Sequence, residues 1–145
     1  MSSRPRIMIV EARFYEDISD LLAAGAIKAL EEAGVNYERF AVPGALEIPA
    51  AIKMGADSKK FDAYVALGCV LRGETSHYDI VCNESARGLT WLTIDPGLII
   101  GNGILTCETE EQAIVRADPA QMDKGRGAVQ AALALLDLKK KVAGS

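Results

Sequence analysis

His77 is the one histidine in the chain, and it closes the polar stretch Arg72-Gly73-Glu74-Thr75-Ser76-His77 between two apolar runs. Imidazole is the side chain best suited to moving protons near neutral pH. Ser76 and Asp79 have capping-box spacing, which puts His77 in the first turn of a helix. There the positive helix end favours the neutral ring, the form that accepts a proton. The free backbone N–H groups of the same helix start, with the Thr75 and Ser76 hydroxyls, suit a phosphate. Plainer readings stand beside these: His77 as a surface residue next to a cap, and both hydroxyls as caps alone. Arg116 and Lys124 flank a polar break further on, and by position they read more simply as solvated surface charges.

Three other segments carry unusual residues: Arg13-Phe14-Tyr15, Pro43-Gly44-Ala45-Leu46-Glu47 and Gly101-Asn102-Gly103. They bear on one site only if the fold brings them together. Residues 6–10 form a β-branched run suited to a buried parallel strand. Ile18, Leu21, Leu22, Gly25, Ala26, Ala29, Leu30 and Ala33 then share a helical face, closed by Gly34. A second strand over 37–42 stops at Pro43-Gly44, and a short helix over 47–54 holds Pro49 in its first turn. Residues 63–70 are the most apolar strand and the central one. A helix from 76 to about 93 carries Ile80, Val81, Leu89 and Leu92. Leu98-Ile99-Ile100 begins a fourth strand that runs to Gly103 or Leu105. Thr109 and Gln112 mark the start of a short helix. The last helix, 125–141, turns Val129, Ala132, Leu133 and Leu136 inward, and its Lys139-Lys140-Lys141 end suits the negative dipole pole.

The order βαβαβαβαα predicts an α/β fold, a three-layer αβα sandwich around a four-stranded parallel sheet. Ligands in such sheets bind beyond the carboxyl ends of the strands. The four polar segments are expected to converge there, in one domain spanning residues 1–145 without repeats or linkers.

Composition narrows the function. A net charge of −4 excludes the clustered cationic excess of nucleic-acid binders, yet leaves room for the few local cations a phosphorylated small molecule needs. Met1 to Arg6 is short and polar with no apolar core behind it, and no run reaches the roughly 20 residues of a membrane span. Cys69, Cys82 and Cys107 are odd in number and form no Cys-x-x-Cys pair. With a single histidine they read as core thiols of a reduced, cytoplasmic protein rather than as metal ligands.

The ordered set of segments resembles the lumazine synthases from about Ile9 to Leu135. It comprises Arg13-Phe14, Pro43-Gly44-Ala45-Leu46-Glu47-Ile48-Pro49, Ala66-Leu67-Gly68, and Arg72-Gly73-Glu74-Thr75-Ser76-His77-Tyr78-Asp79. Cys82-Asn83-Glu84 with Arg87-Gly88, Glu111-Gln112-Ala113 with Arg116, and Lys124-Gly125 complete it. Any one tetrapeptide is weak; the series across four strand ends is specific.

The resemblance implies a flavodoxin-like fold and a transferase that needs no cofactor or metal. The family condenses 5-amino-6-(ribitylamino)uracil with 3,4-dihydroxy-2-butanone 4-phosphate, giving 6,7-dimethyl-8-ribityllumazine, phosphate and water. It implies that Phe14 stacks on the uracil ring, that Ala45, Leu46 and Glu47 hold the ribityl chain, and that Cys69, Val70 and Leu71 border the pyrimidine. Glu74 and Thr75 would cradle the phosphate through their backbone, with Arg116 as its cation and His77 as proton shuttle. Arg116, Asn102 and Lys124 would arrive from a neighbouring subunit, since the family builds each site at an interface of a homopentamer.

Three positions depart from the family pattern: Tyr15 where Asn is common, and Leu46 and Asn102 where Phe is common. They point to altered substrate affinity, with Asn102 able to hydrogen-bond where Phe only packs. Pro119 in Ala117-Asp118-Pro119-Ala120, where shell-forming members often have glycine, points to a free pentamer or pentamer pair. Two rivals share the architecture. One is a flavin- or pteridine-binding protein without turnover; the other is a flavodoxin-like electron carrier, which usually has a fifth strand and a Ser/Thr-rich loop after the first strand.

Overall fold

Among the described residues, four strands and five α-helices follow from short apolar runs and from apolar residues recurring every three to four positions. The computed structural model describes residues 4–144, so Met1, Ser2 and Ser3 of the polar start, and Ser145, lie outside the described residues. The elements are β1 (Arg6–Ala12), α1 (Glu16–Ala33), β2 (Asn36–Val42), a 3-10 turn (Ala45–Glu47) running into α2 (Ile48–Ser58), and β3 (Ala63–Leu71). After these come α3 (His77–Ile94), β4 (Ile100–Cys107), α4 (Glu110–Ala117) and α5 (Lys124–Val142). The strands are all parallel in the order β2-β1-β3-β4. This is the expected α/β sandwich.

Strand β3 lies inside the sheet and is buried from Ala63 to Val70. Alternate residues serve two cores. Ile7, Ile9, Val65 and Leu67 face α1, α4 and α5, while Met8, Val10, Tyr64 and Ala66 face α2 and α3. Burial on both faces explains why these strands read as continuous apolar runs. Gly34 adopts a left-handed conformation at φ 70° and ends α1 as a glycine cap should. The Thr109 hydroxyl accepts from Gln112 N at 3.2 Å, and the Gln112 side chain accepts from Glu108 N at 2.9 Å, so the α4 capping signal is realised with its return bond one residue early.

Two expectations need correction. The fourth strand starts at Ile100 and continues to Cys107, pairing with β3 as far as Leu71. Asn102 is therefore a strand residue in register with Ala66, not part of a loop at the carboxyl edge. The glycines on either side of it mark close packing rather than a turn: a Cβ on Gly101 would lie 1.9 Å from the Ala128 carbonyl oxygen of α5. The second correction concerns α3. Ile80 stays 52% exposed, and full burial in this helix begins only at Ser85.

Helix α5 also meets α1 backbone to backbone, since a Cβ on Gly125 would lie 2.1 Å from the Leu22 carbonyl oxygen. Gly127, two residues on, has nothing within 4 Å of the same position. Alanine is the better helix former by about 1 kcal/mol, so the two substitutions should differ in sign. Gly127→Ala is expected to raise stability by roughly 0.5–1 kcal/mol, whereas Gly125→Ala should lower it by about 1–3 kcal/mol through overpacking. Urea unfolding of the two variants checks this.

Candidate active site

Because every strand is parallel, the segments after β1, β2 and β3 emerge on one edge. They surround an open cavity of about 440 Å³. Phe14 and Tyr15 form the wall beyond β1. Phe14 is 73% exposed, and its ring meets that of Tyr15 edge-on at 4.9 Å between centroids. A flat apolar face turned to solvent in this way can stack on a heterocycle. Behind it the Arg13 backbone N–H donates to the Val42 carbonyl oxygen at 3.3 Å, tying this wall to the end of β2.

The second wall is Gly44 and the turn Ala45-Leu46-Glu47. Ala45 is buried and Leu46 is 41% exposed. A Cβ on Gly44 would sit 3.2 Å from Glu47 Oε1, so the carboxylate folds back over that glycine at the cavity rim. The floor is Cys69, Val70 and Leu71 at the end of β3. Burial pushes the Cys69 thiol up to about 12, so it serves as a neutral, apolar floor and not as a nucleophile.

The third wall is Gly73, Thr75, His77, Tyr78 and Val81. His77 opens α3 as expected, but the cap differs. The Thr75 hydroxyl accepts from the His77 backbone N–H at 3.2 Å, and Ser76 makes no side-chain cap bond. Asp79 instead faces Arg72 at 3.5 Å, so the capping box read from Ser76 and Asp79 does not form. Arg72 reaches over the Tyr78 ring at 4.4 Å and pairs with Glu108 at 3.3 Å, fastening the start of α3 to the end of β4. Burial raises the Tyr78 hydroxyl above its ordinary value, and contacts with Cys82 add to this. Its phenol thus remains protonated at neutral pH.

Nine of the thirteen residues expected at the site line this cavity: Phe14, Ala45, Leu46, Glu47, Cys69, Val70, Leu71, Thr75 and His77. Glu74, Asn102, Arg116 and Lys124 are not among its lining residues. Arg116 lies in the last turn of α4 with Nη1 on the Gln112 carbonyl oxygen of its own helix, at 3.0 Å. Lys124 is the first residue of α5, preceded by Asp123 in a left-handed conformation at φ 50°. The cavity also uses Tyr15, Gly44, Gly73, Tyr78 and Val81, which were not singled out as site residues. Val81 had a signal, being four residues after His77 and so on the same helical face.

These features define an α/β protein of flavodoxin-like architecture with a small-molecule pocket at the carboxyl edge of its sheet. Residues 4–140 match the family described as 6,7-dimethyl-8-ribityllumazine synthase. The chain is 58% identical to the 6,7-dimethyl-8-ribityllumazine synthase of Zymomonas mobilis, over 94% of this chain and 98% of the relative. It is 59% identical to that of Sphingopyxis alaskensis (92% and 94% covered) and 55% identical to that of Agrobacterium fabrum (98% and 99%). The chain belongs to the 6,7-dimethyl-8-ribityllumazine synthase family.

The raised Cys69 thiol gives a chemical check. With a value of about 12, only about one part in ten thousand is thiolate at pH 8. Cys69 should therefore resist iodoacetamide at pH 8 in the folded protein and react once the chain is unfolded in urea, as read by peptide mass spectrometry. Prompt modification of native Cys69 would contradict its role as an inert floor.

Proposed function

We propose that this chain is a transferase that condenses 5-amino-6-(ribitylamino)uracil with 3,4-dihydroxy-2-butanone 4-phosphate to 6,7-dimethyl-8-ribityllumazine, the penultimate step of riboflavin formation. The observation that carries the reading is one cavity whose lining brings His77 and Thr75 together with the exposed Phe14 and the Glu47 turn. Phe14 stacks on the uracil ring, and Leu71, Val70 and Cys69 border it. The 45–47 turn holds the ribityl chain, with Glu47 accepting from its hydroxyls. The phosphate lies at the start of α3, against the Glu74 and Thr75 backbone.

The chemistry is a series of proton transfers. The 5-amino group of the pyrimidine adds to the ketone and loses water to give an imine, and phosphate is eliminated. The resulting enol tautomerises, and the ribitylamino nitrogen then closes the ring on the carbonyl with loss of water. His77 relays protons at these steps. Arg116 assists departure of phosphate by pairing with its charge. Holding both substrates in one cavity supplies most of the acceleration.

Arg116, Asn102 and Lys124 come from a neighbouring subunit, so each site is completed at an interface. Their position away from this chain's own cavity supports that reading. So do Met54, Trp91 and Ile94, apolar side chains of α2 and α3 that are each more than 60% exposed. Exposed apolar surface of this kind marks an interaction face. The assembly is a homopentamer, free or paired. The single domain works in the cytoplasm, in keeping with three free thiols and with the absence, among the described residues, of any helix long and apolar enough to cross a membrane.

Lumazine formation is followed by absorbance after mixing the two substrates with purified protein. His77→Ala is expected to lower kcat about a hundredfold, the low end of the range for general acid–base catalysis, and to leave a measurable rate. Complete loss would contradict the dominance of proximity. No rate above background in the wild type, together with tight binding of the lumazine, would make the chain a binding protein instead. In sedimentation velocity the protein should run as five or ten chains; a particle of about sixty chains would refute the role assigned to Pro119.

A further inference from the structure

Glu11 is the one charged side chain among the described residues that is fully buried, at 3% exposure near the end of β1. Removing a carboxylate from water costs several kcal/mol and is tolerated only when strong partners replace the water. Glu11 has two. Arg39 on β2 donates from Nε at 2.6 Å and from Nη2 at 3.0 Å, a two-pronged grip. Arg13 donates from Nη1 at 2.7 Å, and its other terminal nitrogen pairs with Asp20 of α1. Two acids and two arginines thus form a neutral cluster joining β1, β2 and α1.

An apolar residue could fill this place without the cost of burying charge, so packing alone is a poor account of it. What the cluster controls is position. Arg13 directly precedes Phe14, and the Phe14 ring is too exposed for its own packing to hold it. Residue 13 is held twice, by its guanidinium on Glu11 and by its backbone N–H on Val42. Val42 leads into Pro43 and the turn that carries Glu47, so the cluster spans the roots of the aromatic wall and of the 45–47 wall. The 72–77 segment shares no side-chain partner with it among the described residues, Arg72 pairing instead with Asp79 and Glu108.

We propose that Glu11 is a positioning residue for the aromatic half of the site: its buried carboxylate sets the spacing between Phe14 and the 45–47 turn by clamping Arg13 and Arg39. This rests on the assignment of Phe14 and Glu47 to the ribitylaminouracil substrate. A group that acts only by placing those walls changes binding of one substrate and leaves the chemical step alone.

Glu11→Gln keeps the shape and removes the charge. It is expected to raise the KM for the ribitylaminouracil about tenfold, with kcat and the KM for the phosphorylated butanone within about twofold of wild type. Asp20→Asn, at the exposed end of the cluster, should raise the same KM about two- to threefold, and it serves as the test if Glu11→Gln does not fold. Equal changes in both KM values, or a fall in Tm with both KM values unmoved, would show a merely structural role and overturn the proposal. A wild-type chain without turnover would overturn the functional reading and this inference with it. Wild-type turnover with an unmoved KM in these variants would overturn the inference alone.

Discussion

Strand β3 must bury both of its faces, and the rest of the molecule is arranged around that demand. Eight consecutive residues from Ala63 to Val70 are shielded from solvent, so helices are required above and below and strands on either side. Parallel neighbours meet the requirement because each crossover helix returns across a face of the sheet. The same geometry sends every strand end to one edge. A pocket at that edge is a consequence of how the core is covered.

Close packing of α5 follows from the same demand. The helix lies against β4 and α1 at distances that leave no room for a side chain at Gly101 or Gly125. That contact sets where α5 starts, and hence where Lys124 stands. Gly101 and Gly103 lie on β4 at that contact, with Asn102 between them in register with Ala66. Asn102 and Lys124, two of the residues expected to act from a neighbouring subunit, therefore sit on elements whose placement within the chain is constrained by backbone contact.

Within the pocket, the division of labour is one of polarity. The floor is a strand end whose thiol is held neutral, and the aromatic wall is exposed and anchored from behind by charges. In Arg39 the hydrogen bond to Glu11 raises the guanidinium above its ordinary value; in Arg13 burial works the other way and is outweighed by the bonds to Asp20 and Glu11. Both therefore stay charged across the working pH range. His77 lines the same cavity on a different wall, from the segment beyond β3.

Several features were legible in the residues alone, because they depend on local rules. Hydrophobic period set the four strands and five helices, Gly34 and Thr109 marked their ends, and the parallel order placed the segments after β1, β2 and β3 at one edge. Thr75 and His77 could be singled out from their own segment, while Phe14 and Glu47 were named by the resemblance to the family. The errors arose where a local rule met a tertiary contact. Gly101-Asn102-Gly103 was expected at the carboxyl edge, but pairing with β3 continues to Cys107 and leaves Asn102 within the strand. Ser76 and Asp79 have capping spacing, but Arg72 draws Asp79 away and Thr75 takes the N–H. Ile80, which falls among the apolar positions of α3, stays half exposed ahead of the buried stretch that begins at Ser85. The Glu11 cluster was invisible for the same reason: Glu11 and Arg39 are 28 residues apart along the chain and become neighbours only when β1 pairs with β2. Sequence by itself determined the elements, their order and the family, since those follow from period and motif. Tertiary structure alone decided which polar groups share a partner, because that depends on distances between strands and helices that no spacing along the chain encodes.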